Sequence, residues 1–199
     1  MAIGLQFQRV SDPLEGQSKW WGAPDLPLDM DYPCASDGEP LLFVCQIRLE
    51  DIAQYDTEGM LPHTGMLYFF ADMAEYVAPL EGISGEEHNG LGEWSEGCYR
   101  VLYSPTCDNL EAFAIVDDDD EPAFLDAERI VFSEASPHYD SFKLLGRPYY
   151  EEISEQYPDD VCLLQIDESD EWGLRLYDCG MICFLISKEA LKAQKWDET

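Results

Sequence analysis

The segment KWWGAP at residues 19–24 decides the fold, because it returns as KLLGRP at residues 143–148 with lysine, glycine and proline at identical spacing. Other landmarks accompany each segment in the same order. These pairs, first copy before second, are Leu5 and Phe7 with Ile130 and Phe132, Tyr32-Pro33 with Tyr157-Pro158, FVCQI at 43–47 with CLLQI at 162–166, and GMLYFF at 65–70 with GMICFL at 180–185. A repeated order of this kind indicates an internal duplication.

The shared apolar runs predict strands. They are short, rich in Leu, Ile, Val, Phe, Tyr and Cys, and bounded by Gly, Pro or acidic residues, which favours strand over helix. GMLYFF and GMICFL are continuously apolar, so we expect both to be central strands covered on two faces. The sequence therefore predicts a β-rich, internally duplicated α+β fold, with antiparallel or mixed sheets related by a pseudo-twofold axis and a few short helices. One of these helices is expected to begin at Ser187 as its N-cap.

The predicted organisation is a single domain over residues 1–199. Repeat 1 covers about residues 3–77, an insertion about 78–127, and repeat 2 about 128–199. Either half alone would leave its sheet uncovered, so we expect the two halves to fold together. Within the insertion, the glycine-rich stretch at residues 81–97 predicts a mobile loop.

The charge of the chain is strongly negative. Forty-two Asp and Glu residues against eleven Lys and Arg give a formal net charge of −31. Arg100 is the only basic residue between Leu49 and Glu128, so this central stretch is expected to present one sign of charge. Such a surface repels nucleic-acid phosphates and anionic lipids, so we predict neither a nucleic acid nor a membrane as a partner, and a basic protein is the natural complement. The alternative is that the acidic surface serves solubility alone.

Cysteine usage indicates a reducing compartment. The seven cysteines form no CxxC pair, and several lie in apolar runs, where a free cysteine behaves as a small hydrophobic residue. The N-terminal sequence MAIGLQFQRV lacks a charged segment followed by a long apolar core, and no apolar stretch approaches the ~18 residues of a membrane span. We therefore expect a cytoplasmic protein.

The residues that usually carry catalysis or bind metals form no recognisable pattern. His63, His88 and His138 all lie in turn-like stretches. The acidic run at residues 117–121 lacks the ligand spacing and the glycine of a calcium loop, so a solvated turn is expected there. Cysteine spacing does not indicate a zinc site. The sequence predicts no catalytic residue, no metal site and no cofactor.

Polar residues that recur in both copies are the best candidates for a ligand site. We predict that a small ligand binds in a cleft between the repeats, lined by Lys19, Trp20, Trp21, Gln46, Lys143 and Gln165. The structural alternative is that each glutamine satisfies backbone groups of a turn, while each lysine stem covers apolar surface. Both interpretations stay open at the level of sequence.

Several elements taken together resemble the YwqG-like family of bacterial proteins. The resemblance spans nearly the whole chain and is carried by SKWWGAPDLP, PLLFVCQIRLEDI, GMLYFFAD, YRVLYSP, FKLLGRP, VCLLQID and GMICFLISKEAL. It implies a duplicated α+β fold in a bacterial cytosolic setting and supplies no catalytic residues. Some relatives are linked to toxin and immunity loci, which implies an immunity-type binding role by association.

We therefore expect a non-catalytic, acidic binding protein that docks a basic protein partner. This interpretation predicts a complex that weakens steeply as salt rises. The alternative is a small-molecule binder or an enzyme that uses the cleft between the repeats, which predicts a deep pocket with converging polar groups.

Overall fold

The computed structural model describes residues 1–73, 76–77, 92–116, 125–176 and 179–199. Most of the predicted glycine-rich loop, His88 and the acidic run at residues 117–121 lie outside the described residues. The chain forms two compact units. One contains Gln6–Asp72 and Glu96–Phe132, and we call it the KWWGAP unit. The other contains Met1–Leu5, Met73–Ser95 and Ser133–Thr199, and we call it the KLLGRP unit.

The KWWGAP unit is built on antiparallel strands. Its main sheet has the order β8-β2-β4-β5-β6, and β3 pairs with β7 in a separate two-stranded sheet. A single helical turn, α1, comes directly after β4. The elements are β2 (Lys19–Trp20), β3 (Asp25–Pro27), β4 (Leu42–Arg48), α1 (Leu49–Ile52), β5 (Met66–Ala71), β6 (Tyr99–Ser104), β7 (Leu110–Ala112) and the first part of β8 (Glu128–Ala135).

The KLLGRP unit has a smaller antiparallel sheet with the order β11-β10-β9-β1. Two short helices and a terminal 3-10 turn accompany it. The elements are β1 (Ala2–Gln8, whose first residues belong to this unit), β9 (Lys143–Leu144), α2 (Glu151–Gln156), β10 (Asp160–Ile166), β11 (Ile182–Ser187), α3 (Lys188–Ala193) and the 3-10 turn (Trp196–Glu198).

The β-rich α+β class predicted from sequence is confirmed. The predicted helix cap is confirmed as well, because the Ser187 side chain accepts a hydrogen bond from the Ala190 amide at 3.1 Å. The helix α2 was not predicted, although its sequence EEISEQ consists largely of good helix formers. No helix among the described residues is long and apolar enough to cross a membrane.

The expectation that both Gly-Met strands are central holds for one copy and is wrong for the other. All six residues of β5 are buried, and β5 pairs with β4 on one side and β6 on the other. In contrast, β11 pairs only with β10 among the described strands and buries two of its six residues. The physical reason is that β6 covers the second edge of β5, whereas no described strand pairs with the second edge of β11.

The two units nevertheless contain the same arrangement of paired strands. In the KWWGAP unit, Gln46 of β4 lies opposite Lys19 and also opposite Tyr68. In the KLLGRP unit, Gln165 of β10 lies opposite Lys143 and Cys183. Each ladder therefore joins the lysine, the glutamine and the Gly-Met strand in the same register.

A bulge occurs at the same place in each ladder. The register shifts between Phe43 and Cys45 in β4, and between Cys162 and Leu164 in β10. The carbonyl of the residue in each bulge accepts a hydrogen bond from the KxxGxP turn, from Trp21 N to Val44 O at 2.9 Å and from Leu145 N to Leu163 O at 3.2 Å. Trp21 and Leu145 both have positive φ, 57° and 60°. This is uncommon for residues other than glycine, so the two turns have matching strained backbones.

Candidate functional site

The six residues predicted to bind a ligand are all buried. None is more than 5% exposed, and four of them have no exposed surface. Lys19, Trp20, Trp21 and Gln46 belong to the KWWGAP unit, whereas Lys143 and Gln165 belong to the KLLGRP unit. Burial of this degree favours the structural alternative, and a ligand site at these residues stays a prediction.

Gln46 fastens both ends of the KWWGAP turn to strand β4. Its Oε1 accepts a hydrogen bond from the Asp25 amide at 2.8 Å, and its Nε2 donates to the Gln17 carbonyl at 2.9 Å. Asp25 comes directly after the turn, and Gln17 lies two residues before Lys19. A buried amide side chain thus satisfies backbone groups that the turn would otherwise leave without partners.

Gln165 repeats this arrangement in the other unit. Its Oε1 accepts from the Tyr149 amide at 2.9 Å, and its Nε2 donates to the Ser141 carbonyl at 2.8 Å. Tyr149 comes after KLLGRP as Asp25 comes after KWWGAP, and Ser141 corresponds to Gln17. The two glutamines therefore hold equivalent positions in the backbone frame.

Lys19 forms a buried ion pair. Its Nζ lies 2.8 Å from Asp25 Oδ2, and both side chains are almost fully buried. The same carboxylate oxygen also accepts from the Gly16 amide at 2.9 Å and from Gln46 Nε2 at 2.6 Å. Three donors thus converge on one oxygen, which is the kind of hydrogen-bonded neutralisation that a buried charge requires.

Lys143 occupies the equivalent position, but it forms no ion pair with an acidic side chain among the described residues. Tyr149 stands where the first copy has Asp25, and the ammonium of Lys143 donates instead to the Tyr139 carbonyl. Burial lowers the pKa of Lys143, an effect opposed by neighbouring Cys162, Cys183 and Asp140. A hydrogen bond to Cys183, together with full burial, raises the pKa of the Cys162 thiol. This site resembles the first in backbone and differs from it in charge.

The two tryptophans pack inside the KWWGAP unit. The Trp20 ring lies 4.9 Å from the Phe7 ring and 5.6 Å from the Trp21 ring, measured between centroids. Gly22, at φ 79°, brings the turn so close to Ala127 that an added Cβ would lie 2.7 Å from the alanine methyl. Glycine at this turn is therefore required both by its backbone conformation and by packing.

The described histidines take no part in these clusters. His63 is half-exposed, and its Nε2 lies 3.9 Å from Asp56 Oδ2, while His138 is exposed. Within the residues that the structure describes, no three His, Cys, Asp or Glu side chains converge as a metal site would require.

A surface groove in the KWWGAP unit is the feature best suited to binding. It has a volume of about 560 Å³ and is lined by β3, the loop after β3 and the segment around β7. Its walls include Leu28, which is 72% exposed, and Phe113, which is 47% exposed. Val116, another exposed apolar residue, lies further along the β7 segment. We call this feature the β3–β7 groove.

Core residues support the aromatic wall of the β3–β7 groove. The Phe113 ring stacks on Tyr32 with centroids 5.1 Å apart, and the Tyr32 ring meets Phe70 edge-on at 5.2 Å. The Tyr32 hydroxyl donates to the Leu41 carbonyl at 2.7 Å, and burial raises the pKa of this phenol. Phe70 and Leu41 belong to the buried core. The groove is thus preformed on a packed base.

Acidic residues stand beside this apolar surface. Asp31 and Glu111 line the β3–β7 groove, and Asp29 is exposed next to Leu28. The sequence analysis did not identify the groove. In the structure β7 ends at Ala112, and the next apolar residues through Val116 are largely exposed. The apolar residues at 112–116 were the sequence signal that could have indicated this groove.

Comparison with models of known protein families identifies the family of this chain. The sequence model of a family described as a domain of unknown function, DUF1963, matches residues 18–144 and again residues 132–199. No curated protein matches the chain. The matched residues cover most of the sequence, including both KxxGxP turns and both Gln-Ile strands. The chain therefore belongs to the DUF1963 family of proteins with a domain of unknown function.

Proposed function

We propose that this protein is a non-catalytic binding protein that docks a basic protein partner through the β3–β7 groove. The observation that carries the proposal is an exposed apolar groove with acidic residues in its walls. Leu28 and Phe113 supply the apolar surface, and Asp31 and Glu111 supply the charge. Exposed apolar surface rimmed by polar residues is typical of sites where proteins interact.

Charge complementarity selects the partner. The chain carries a formal charge of −31, so long-range attraction favours a partner rich in Lys and Arg and increases its rate of association. Close to the groove, Asp31 and Glu111 would face the basic side chains of that partner. An apolar side chain between those basic residues would fill the space beside Phe113. The occupant we propose is an extended basic segment with one aromatic or aliphatic anchor.

The backbone of β7 supports an extended occupant. Asp25 of β3 lies opposite Ala112, yet its amide donates to Gln46 and its carbonyl accepts from the Tyr68 hydroxyl at 2.8 Å. Because antiparallel pairs alternate between bonded and non-bonded residues, Ala112 directs its backbone groups toward the outer edge of β7. No other described strand pairs with that edge. A partner strand could add there, as in other cases of peptide recognition at a sheet edge.

The finer assignments are part of the same proposal. The YwqG-like resemblance supports a bacterial cytoplasmic protein with an immunity-type role, in which the basic partner would be a toxin. The alternative function, a small-molecule binder or enzyme that uses the cleft between the repeats, has weaker support. Its six candidate residues are buried in packing and hydrogen bonds, which leaves them little surface for a ligand.

The experiment is a pull-down from native lysate with three forms of the protein. These are the natural sequence, the double variant Leu28→Ser with Phe113→Ser, and the control Val131→Ser, which removes an apolar side chain that is 42% exposed on β8 of the same unit. Bound proteins are eluted by a step from low to high salt and identified by mass spectrometry.

We expect the natural protein and the control to retain the same basic protein, which high salt releases. The groove variant should lose it, because its apolar anchor site is gone while its charge is unchanged. Retention of that protein by the groove variant, or retention that salt does not weaken, would contradict the proposal.

A further inference from the structure

A second depression in the KWWGAP unit brings together two of the eleven basic residues in this acidic chain. It has a volume of about 350 Å³ and is lined by Gln17, Ser18, Arg48, Asp51, Arg129 and Ile130. We call it the arginine pocket. It is separate from the β3–β7 groove in its lining residues, and the proposed docking function does not use it.

Ser18 holds the base of the arginine pocket together. Its hydroxyl donates to Asp51 Oδ2 at 2.7 Å and accepts from the Arg48 amide at 2.9 Å. Its carbonyl accepts from the Ile130 amide at 3.4 Å. Ser18 is itself buried. The residue before β2 therefore links β4, α1 and β8, so the two arginines extend from a fixed backbone.

The two guanidinium groups retain unused hydrogen-bonding capacity. Arg48 Nε lies 3.5 Å from Glu50 Oε2, but it is buried and makes no hydrogen bond. The ion pair of Arg48 with a described residue is the one to Glu50, and its terminal nitrogens donate no hydrogen bond to another described residue. Arg129 likewise forms no side-chain ion pair or hydrogen bond within the described part of the chain. Each guanidinium can donate up to five hydrogen bonds, so several donors are available to a ligand.

The charges that line the arginine pocket favour a monoanion. Two arginines and Asp51 line it, Glu50 Oε2 lies 3.5 Å from Arg48 Nε, and the Asp51 carboxylate already accepts from Ser18, so the site has too little positive charge for more than a single negative charge. A carboxylate fits this balance better than a phosphate dianion, and its planar oxygens match the fork of a guanidinium. The pocket volume is at the small end of ligand sites. The overall negative charge of the protein also disfavours a polyanion.

We propose that the arginine pocket binds a single carboxylate group between Arg48 and Arg129. The carboxylate can belong to a small molecule or to the C-terminus of a peptide, since both present the same chemistry. Its oxygens accept hydrogen bonds from the terminal nitrogens of both arginines, which also relieves the repulsion between the two cations.

The test is an NMR titration that monitors the arginine side-chain Nε–H signals. The probes are acetate, its neutral analogue acetamide, and chloride at matched ionic strength. We expect the Arg48 and Arg129 signals to shift saturably with acetate alone. Arg129→Gln and Arg48→Gln should each weaken acetate binding roughly tenfold, because a hydrogen-bonded charged contact is lost. Arg100→Gln is the control, since Arg100 is exposed on β6 and donates to a backbone carbonyl.

Two further arms complete the test. Arg129→Lys retains the charge and loses the planar fork, so weaker acetate binding by this folded variant supports the paired geometry even if Arg129→Gln fails to fold. N-acetyl-Gly-Gly with a free C-terminus is compared with its C-terminal amide. Binding of the free peptide tighter than acetate identifies a chain end, whereas binding equal to acetate identifies a small carboxylate. Signals that respond equally to acetate and chloride, or an acetate affinity that is unchanged in both Arg48→Gln and Arg129→Gln, would overturn the proposal.

Discussion

The two KxxGxP turns share a backbone but lead into different secondary structure. After KWWGAP the chain continues as Asp25–Pro27, which forms β3 and one wall of the β3–β7 groove. After KLLGRP it continues through Tyr149 and Tyr150 into helix α2. The glutamine that fastens each turn is retained, as are the bulge and the positive φ of the second residue after each lysine.

This difference also changes the charge inside each unit. Asp25 neutralises Lys19, whereas the equivalent Tyr149 cannot neutralise Lys143. The duplication has therefore retained the residues that define the backbone and varied the first residue after the turn. That position supplies the carboxylate that pairs with Lys19 in the first copy and a tyrosine in the second.

The largest effect is expected from removing the acid of the first turn. Asp25→Asn leaves the Lys19 ammonium buried without a counter-charge and should lower the free energy of unfolding by about 3–5 kcal/mol. The matched control is Tyr149→Asn at the equivalent, partly exposed position, where a change within about 1 kcal/mol is expected. Urea unfolding of both variants measures the difference. Equal losses in the two would refute the contrast between the turns.

A smaller and symmetrical effect is expected at the two glutamines. Gln46→Ala and Gln165→Ala each leave a backbone amide and a carbonyl of a turn without their partner, at a cost of about 1–3 kcal/mol. The backbone hydrogen bonds of the two glutamines correspond, so the two losses of unfolding free energy should be similar. Gln46 also donates to the Asp25 carboxylate, which accounts for any larger loss at Gln46. The comparison uses the midpoints and slopes of urea unfolding curves. A large loss at one glutamine and none at the other would show that the shared frame is not equally important in both units.

The second lysine should be replaceable at little cost. Lys143→Met removes a buried charge that forms no ion pair among the described residues, so the free energy of unfolding should change by less than about 1 kcal/mol or increase. Lys19→Met is the paired variant, and it should be destabilising because it leaves Asp25 buried without its cation. Thermal unfolding of the two variants at one pH ranks them. The reverse ranking would contradict the assigned charges.

The smallest effect is a dependence on pH. Burial lowers the pKa of Lys143 in the folded chain below its ordinary value of 10.5. Between these two pKa values the unfolded chain still holds a proton that the folded chain has released. The contribution of Lys143 to stability therefore rises with pH across that window. The unfolding free energy of the natural protein minus that of Lys143→Met should rise over the same range. A difference that stays flat or falls would show that Lys143 titrates at its ordinary value or above it.

Sequence alone predicts the repeated frame well, because its landmarks are local. KxxGxP, Gln-Ile and Gly-Met each lie within a few residues, and the apolar composition of the runs indicates the strands. The cap at Ser187 is local in the same way. Lys19, Trp20, Trp21, Gln46, Lys143 and Gln165 were found by their recurrence, but recurrence does not distinguish a residue that supports a turn from one that binds a ligand.

The features that sequence did not predict depend on contacts between distant segments. Strand β11 has no second partner among the described strands, whereas β5 pairs with β6, which begins more than twenty residues downstream. In the β3–β7 groove Tyr32 stacks on Phe113, and in the arginine pocket Arg48 and Arg129 line the same depression. Local sequence patterns do not encode these arrangements of distant segments, so only the folded structure shows them.

The most direct test of docking at the β3–β7 groove is a calorimetric titration with two peptides of equal charge. One has the sequence KKKFLKKK and the other KKKGSKKK, each acetylated and amidated. We predict that the first binds one-to-one and at least about tenfold more tightly, and that this advantage disappears in the Leu28→Ser, Phe113→Ser variant but persists in Val131→Ser. Equal binding of the two peptides by the natural protein would show that the acidic charge acts alone and would contradict the proposed groove.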